Sequence, residues 1–520
     1  MATAPLVPGG SVLVVDFGGQ YAHLIARRVR EAHVFSEIRP YYEILELDLR
    51  GYSAIVLSGS HRGVLDTGKE AVEFVRRLID GPGGAPILGI CYGHQLLAVA
   101  LGGSVRRGCS EYGRTRVRLL ADDPIFRGWG PEEAVWMSHG DCVDTLPSAA
   151  RLLAISENGC VAAFSAEVGS RKIYGVQFHP EVAHTPKGQL LINNFLDLSQ
   201  AARLWTPSQY YGALLEGLAE ELGDGKVVAA VSGGIDSTVA AALAKKVVGD
   251  RLVPVFVDHG LFREGEPEEV VEHLRRAGLE PITIDAQERF LARLEGIADC
   301  EARRLIIGEE FAKVFDEVME ELGARTFVQG TTYPDVVESG ATLVADRIKA
   351  HHNVAGLPGW FRGKYRVVEP LRLLYKDEVR ALARLLGLPE YFVKRHPFPG
   401  PGLAARILGP FSRKKLEICR RASKVIEDVL REHELYDSVW QAFAVVGDDK
   451  WVGVKGDARK HGYVVIVRVV ESQDAMTADY ARLPYEVLDE MSRRIAASID
   501  DVTMVAYAIA SKPPSTIEPC

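Results

Sequence analysis

Short apolar runs, each followed by a turn and a longer helical pattern, recur along this chain and leave few folds open. "SVLVVDF", "YSAIVLSG" and "PILGICYG" stand in the first third, and "VVAAVSGG", "RLVPVFVDHG" and "RTFVQGTTYPD" in the middle. Such runs suit strands buried on both faces, and a strand that returns through a helix pairs parallel to its predecessor. The rhythm therefore predicts two parallel-sheet α/β domains. It changes after "RHPFPGPGLAARILG", whose prolines and glycines forbid regular structure. Beyond it, "VWQAFAVV", "GYVVIVRVV" and "VTMVAYAIA" read as strands around the helical stretch "PYEVLDEMSRRIAASI", which predicts a smaller α+β domain. An earlier boundary falls at Trp205-Thr206-Pro207-Ser208, a linker running into a helix cap. The expected domains are 1–203, 204–397 and 398–520.

A chain of 520 residues, 47% hydrophobic and 25% charged, has material for several cores. Its net charge of -9 speaks against a general nucleic-acid binder, which needs a basic surface to neutralise phosphates. The start shows no basic segment followed by an apolar stretch, and no apolar run reaches the roughly 18 to 20 residues of a membrane helix, so the expected compartment is the cytoplasm. Seven cysteines lie far apart with no CxxC pair, and neither a disulfide framework nor a zinc site is expected from their spacing.

In "PILGICYGHQLLAVALGG" a strand delivers Cys91 into a glycine-flanked turn with a helix behind it. That elbow exposes a nucleophile and lets a helix N-terminus favour its thiolate. A lone cysteine is more often buried packing, but "KIYGVQFHPEV" supplies a partner. If the strand continues, Glu181 lies two residues from His179 on the same face, where it orients a base aimed at Cys91. Gly89, Cys91, Gly93 and Gln95, followed by His179-Pro180-Glu181, resemble the signature of the class I glutamine amidotransferases. The resemblance implies that Cys91 attacks the side-chain amide of glutamine, that His179 is general base and acid, and that Glu181 orients it. It also implies a glutamine site at Gly59 and Gln95, with an oxyanion donor in the loop Ser58-Gly59-Ser60-His61. That family has a glycine where Ser60 stands, which puts the freedom of the loop in question. "WMSHGD", with Ser138, His139 and Asp141, resembles the same family's glutamine pocket and otherwise reads as a polar hairpin.

The turn Ser232, Gly233, Gly234, Ile235, Asp236, Ser237, Thr238 opens a helix and makes an anion nest, yet it lacks the lysine of the common nucleoside-triphosphatase loop. It resembles the loop of the ATP pyrophosphatases, which cut ATP at the α-phosphorus and cradle the departing pyrophosphate. The resemblance implies Mg²⁺ with the ATP, while the residues that hold the metal stay unknown. Asp258, Arg263 and Lys376 are further candidates near the nucleotide.

Over the whole chain the order resembles glutamine-dependent ligases that adenylate and then aminate a purine nucleotide. The implied substrates are xanthosine 5′-monophosphate (XMP), ATP and glutamine, with no nucleic-acid or membrane partner and a homodimer as the assembly. XMP would be held by Arg304, Asp457, Lys512 and Glu518. Met504, Ala508, Pro519 and Cys520 depart from that family near the nucleotide, as does Ala355 in "HHNVAGLP". Another purine-like carbonyl, or a catalytically weak regulatory homologue, therefore stays open as an alternative.

Overall fold

The structure is a computed structural model and describes residues 10–46, 48–66, 69–335, 357–455, 457–472, 477–512 and 514–520. Ala355 lies outside them. The chain forms two compact units that part in sequence between Ala213 and Leu214.

The first unit is built on a nine-stranded sheet in the order β2-β1-β3-β4-β9-β8-β7-β5-β6. Its strands are β1 (Ser11–Asp16), β2 (Ser36–Pro40), β3 (Tyr52–Leu57), β4 (Ile87–Ile90), β5 (Ser104–Leu119), β6 (Glu132–Thr145), β7 (Ala150–Ser156), β8 (Val161–Val168) and β9 (Arg171–Val176). Strands β1, β2, β3, β4 and β9 are parallel to their neighbours in that half of the sheet. Three of these, β1, β3 and β4, are the strands announced by apolar runs, whereas the short β2, "SEIRP", is not. The other half is antiparallel, and its longest member, β5, alternates buried and exposed residues over much of its length. A strand with one wet face has no apolar run to announce it, so the apolar rhythm passes over this extension.

The second unit holds a five-stranded parallel sheet in the order β12-β11-β10-β13-β14. These are β10 (Val227–Ala230), β11 (Leu252–Asp258), β12 (Ile282–Asp285), β13 (Thr326–Val328) and β14 (Arg366–Val368). The chain leaves β10 toward β11 and β12, then returns to lay β13 on the other side of β10. That reversal opens a crevice at the carboxyl ends of β10 and β13, where open α/β sheets bind ligands. A smaller sheet follows: the long antiparallel hairpin β15 (Gln441–Lys455) and β16 (Ala458–Glu471), short β17 (Asp479–Tyr480), and β18 (Val502–Tyr507) parallel to β16. The two sheets of this unit share one hydrophobic core, which runs from Val228 and Phe327 through Ile407 and Ile426 to Val467 and Val502.

The cysteines depart from expectation. Cys109 and Cys142 are disulfide-bonded, with Cys160 buried beside them, and Cys300 is bonded to Cys520 across 220 residues of sequence. Wide spacing concealed these pairs because strand register and chain return, neither visible in spacing, bring them together.

Candidate functional site

In the first unit the carboxyl ends of three neighbouring strands converge. The backbone of Cys91, between β4 and the helix Tyr92–Ala100, has φ 54° and ψ -103°, a strained turn that a cysteine adopts only where the surroundings impose it. The flanking glycines show what imposes it. A Cβ on Gly89 would lie 2.5 Å from the carbonyl carbon of Gly93, and one on Gly93 would lie 2.5 Å from the carbonyl oxygen of Leu57. Helix and strands meet backbone to backbone there, so the G-x-C-x-G spacing is a packing requirement that fixes the elbow. The Cys91 N–H donates to the Val176 carbonyl (2.8 Å), tying the elbow to β9.

β9 ends at Val176, and His179 and Glu181 sit in the turn beyond it rather than on a continuing strand. They pair all the same: His179 Nδ1 lies 2.7 Å from Glu181 Oε1, and both side chains are buried. Burial alone would lower the imidazole pKa, but the Glu181 carboxylate and the Cys91 sulfur outweigh it and raise the value to about 10. Cys91 interacts with the same ring through its sulfur, so the three residues expected as nucleophile, base and orienting acid are in contact. Gly59, after β3, completes the ring of strand ends, since a Cβ built there would lie 3.5 Å from His179 Cε1 and 4.0 Å from Cys91 Cβ. Ser60 is not among the residues with positive φ, so a serine fits this loop without strain.

Gln95 is buried, and its Nε2 donates to the Asp141 carbonyl (2.8 Å) and to Gln177 Oε1 (3.1 Å). His139 bridges the Asp141 carbonyl and the Glu111 carboxylate, and Cys91 Sγ lies 3.6 Å from the Ser138 carbonyl oxygen. The "WMSHGD" strand is therefore a hairpin member that borders the cysteine. Sequence reasoning missed Tyr21, whose ring stands edge-on to His179 at 5.0 Å, and Glu111 and Gln177, which anchor the hairpin and Gln95. None of these lies in a motif, and the fold alone unites them.

In the second unit the loop Ser232–Thr238 occupies the crevice after β10. Gly233 has φ 76°, and a Cβ on it would fall 2.4 Å from Val270 Cγ1. The loop is cross-braced: Ser237 Oγ accepts from the Ser232 N–H and donates to the Gly234 carbonyl, and Thr238 Oγ1 donates to that same carbonyl. Arg395, from the proline-rich segment, donates to the Gly233 carbonyl and pairs with Glu266, which also holds Arg263. Arg263 thus buttresses the loop from behind. Lys376, at the start of a helix after β14, lies 3.9 Å from Asp236, which brings a cation from another element to the edge of the loop. Burial, helped by Asp335 and opposed by Lys376, raises the Asp236 pKa. Asp258 ends β11, with its carboxylate held by Gly260 N–H and Gln287 Nε2.

The four residues expected to hold XMP are not all brought together. Arg304 Nη2 donates to the Cys520 carbonyl (2.9 Å), and Glu518 pairs with buried Arg406 (2.9 Å) and accepts from Gln441 Nε2 (2.6 Å). Lys512 exchanges main-chain hydrogen bonds with Ala478. Asp457 lies at the exposed tip of the β15–β16 hairpin, whereas Gln441 and Glu518 lie at its base. The intervening strand of β15 spans roughly 45 Å at about 3.3 Å per residue. Arg406 and Arg468, the latter donating to the carbonyls of Ala510, Thr516 and Ile517, were not foreseen and hold the tail in place. Ala508 belongs to this neighbourhood through its N–H bond to Val467, while Met504 pairs with Val464 farther along β18.

Residues 13–198 match the family Glutamine amidotransferase class-I, residues 209–306 the family NAD synthase, and residues 428–519 the family GMP synthase C terminal domain. A relative from Pyrobaculum aerophilum, named GMP synthase [glutamine-hydrolyzing], is 54% identical over 98% of this chain and 99% of its own. Relatives of the same name from Aeropyrum pernix and Thermus thermophilus are each 50% identical, covering 98% of this chain and 98% and 99% of theirs. With likeness of half the residues or more running from end to end, the chain belongs to the glutamine-hydrolysing GMP synthase family.

Proposed function

We propose that this protein makes GMP from XMP, taking nitrogen from glutamine and cleaving ATP to AMP and pyrophosphate through an adenylyl-XMP intermediate. The observation that carries this reading is the strained Cys91 elbow joined to the His179–Glu181 pair, in a chain that also carries the lysine-free pyrophosphate loop. Segments 1–203, 204–397 and 398–520 divide the work into glutamine hydrolysis, adenylation, and nucleotide binding with dimerisation. The exposed apolar side chains Trp451, Val452 and Val454 on the β15–β16 hairpin support a homodimer. Among the described residues no helix is long and apolar enough to cross a membrane, and we place the enzyme in the cytoplasm.

At the first site His179 holds the proton of Cys91, leaving a thiolate to attack the glutamine amide carbon. The N–H groups of Gly59 and of Tyr92, at the helix start, stabilise the oxyanion. His179 then passes its proton to the leaving ammonia and next takes one from the water that hydrolyses the thioester. Glu181 keeps the ring oriented with Nε2 facing the sulfur. At the second site the main-chain N–H groups and hydroxyls of Ser232–Thr238 bind the β- and γ-phosphates, and Lys376 offsets their charge. Asp236 suits Mg²⁺: its side chain is half-buried beside the nest, and among the described residues its buried Oδ1 has no hydrogen-bond partner. Bound there, Mg²⁺ would neutralise charge on the departing pyrophosphate. Arg304 and Lys512 attract the XMP phosphate and Glu518 completes its binding, while Asp457, at the far tip of the hairpin, stands outside this pocket.

Incubation with ATP, Mg²⁺ and glutamine, with XMP present or omitted, should yield GMP and AMP only when XMP is present. AMP without GMP, or turnover of another purine nucleotide in its place, would refute the assignment. Cys91→Ala should lose glutamine-dependent synthesis by more than about 10³-fold and keep ammonium-dependent synthesis. Continued use of glutamine by that variant would remove Cys91 from the mechanism.

A further inference from the structure

The tail of this chain is held at two points on one platform. Glu518 is bound by Arg406 and Gln441. Two residues on, Cys520 is bonded to Cys300, with Cα atoms 5.7 Å apart, and its carbonyl accepts from Arg304. Cys300 and Arg304 share the first turns of the helix Cys300–Leu322, whose start is capped by Asp299. The neighbouring Arg303 is buried and donates to the carbonyls of Ala298, Ala404, Ile407 and Gly409, so the helix start is bound to the segment that carries Arg406. Helix start and Arg406 segment therefore form one rigid base. Among its described residues the tail has no helix or strand beyond β18, and it is positioned by these attachments, by Arg468 and by the main-chain bonds of Lys512 to Ala478.

We propose that the Cys300–Cys520 disulfide is a redox-responsive clamp on the nucleotide subsite. Closed, it fixes Arg304 and Glu518 in the geometry that binds a purine nucleoside monophosphate. Opened, it releases Cys520 and its contact with Arg304, leaves Glu518 held by Arg406 and Gln441 alone, and weakens that binding. The inference rests on the assignment of Arg304 and Glu518 to the nucleotide. Closure needs a small-molecule disulfide as oxidant. One cysteine thiolate attacks a sulfur of that disulfide and expels a thiolate, leaving a mixed disulfide, and the second cysteine thiolate attacks the protein-side sulfur and expels the other. Two protein thiols lose two protons and two electrons, and the oxidant becomes two thiols. Both cysteines are half-buried, within reach of such a reagent.

The test uses the full chain with ammonium as nitrogen donor, which bypasses Cys91 and the Cys109–Cys142 pair. Protein equilibrated with oxidised glutathione should give a Cys300–Cys520 linked peptide by mass spectrometry, and dithiothreitol should abolish it. Reduction should raise the KM for XMP about tenfold and leave the KM for ATP within about twofold, the pattern of lost pre-organisation at one subsite. Cys520→Ser should match the reduced enzyme under both conditions. Absence of the linked peptide, or equal KM values for XMP in linked and reduced protein, would overturn the clamp. If no condition yields GMP, the proposed function fails instead, and the clamp is then judged by equilibrium dialysis with XMP. Equal binding by oxidised and reduced protein would overturn it there too.

Discussion

At the scale of single residues, the His179–Glu181 pair carries a pH signature. The imidazole is raised from an ordinary 6.5 to about 10, so the stability it contributes is complete below about pH 6.5 and is lost as the pH rises through 10. The melting temperature of the first unit should fall between pH 8 and 10.5, and Glu181→Gln should flatten much of that slope. Equal slopes in the two proteins would show that the pair is not charged in the fold. Ser60 offers a second test. Because its φ is not positive, Ser60→Gly should leave the KM for glutamine within about twofold, and a larger change would show that the loop relies on glycine. Cys91, His179 and Glu181 were legible in the sequence because each sits in a motif, although the pair is made through a turn and not along a strand. Tyr21 and Glu111 were illegible, since a tyrosine or glutamate beside a site carries no local mark.

At the scale of elements, the elbow and the phosphate loop depend on glycines for different reasons. Gly89 and Gly93 sit where backbones touch, so Gly93→Ala should cost about 2 to 3 kcal/mol in denaturant unfolding of the first unit and abolish glutaminase activity. A variant of normal stability and activity would show that the helix can shift away. Gly233 is both left-handed and overlapped by Val270, and Gly233→Ala should raise the KM for ATP about tenfold or more while glutamine hydrolysis continues. An unchanged KM for ATP would mean that the loop tolerates a different shape. Apolar runs announced β1, β3, β4, β10 and β11, whose burial on both faces leaves a continuous mark. They passed over β5 to β8, where alternation and register carry the information.

At the scale of the whole molecule, the long core shared by the two sheets of the second unit predicts cooperative unfolding. Calorimetry of the full chain should show two transitions, and a third, separable transition for the last 120 or so residues would contradict a shared core. The first unit reaches past the linker: Trp205 is buried, its N–H donates to the His33 carbonyl, and its ring meets those of Phe35 and Tyr210. A fragment of residues 1–213 should therefore be more stable than one of residues 1–203 by about 2 kcal/mol, read from urea midpoints. Equal midpoints would show that Trp205 adds nothing. The sequence made this linker visible through Pro207 but not the return of Trp205 onto its own unit, which depends on a contact across some 170 residues. For gene architecture the same feature marks a seam. A reading frame interrupted near Ala213 leaves two products with intact cores, so glutaminase and synthetase can be encoded apart and meet as subunits. An interruption between β10 and β18 divides the core of the second unit between the two products, and selection would keep that stretch of coding sequence in one piece.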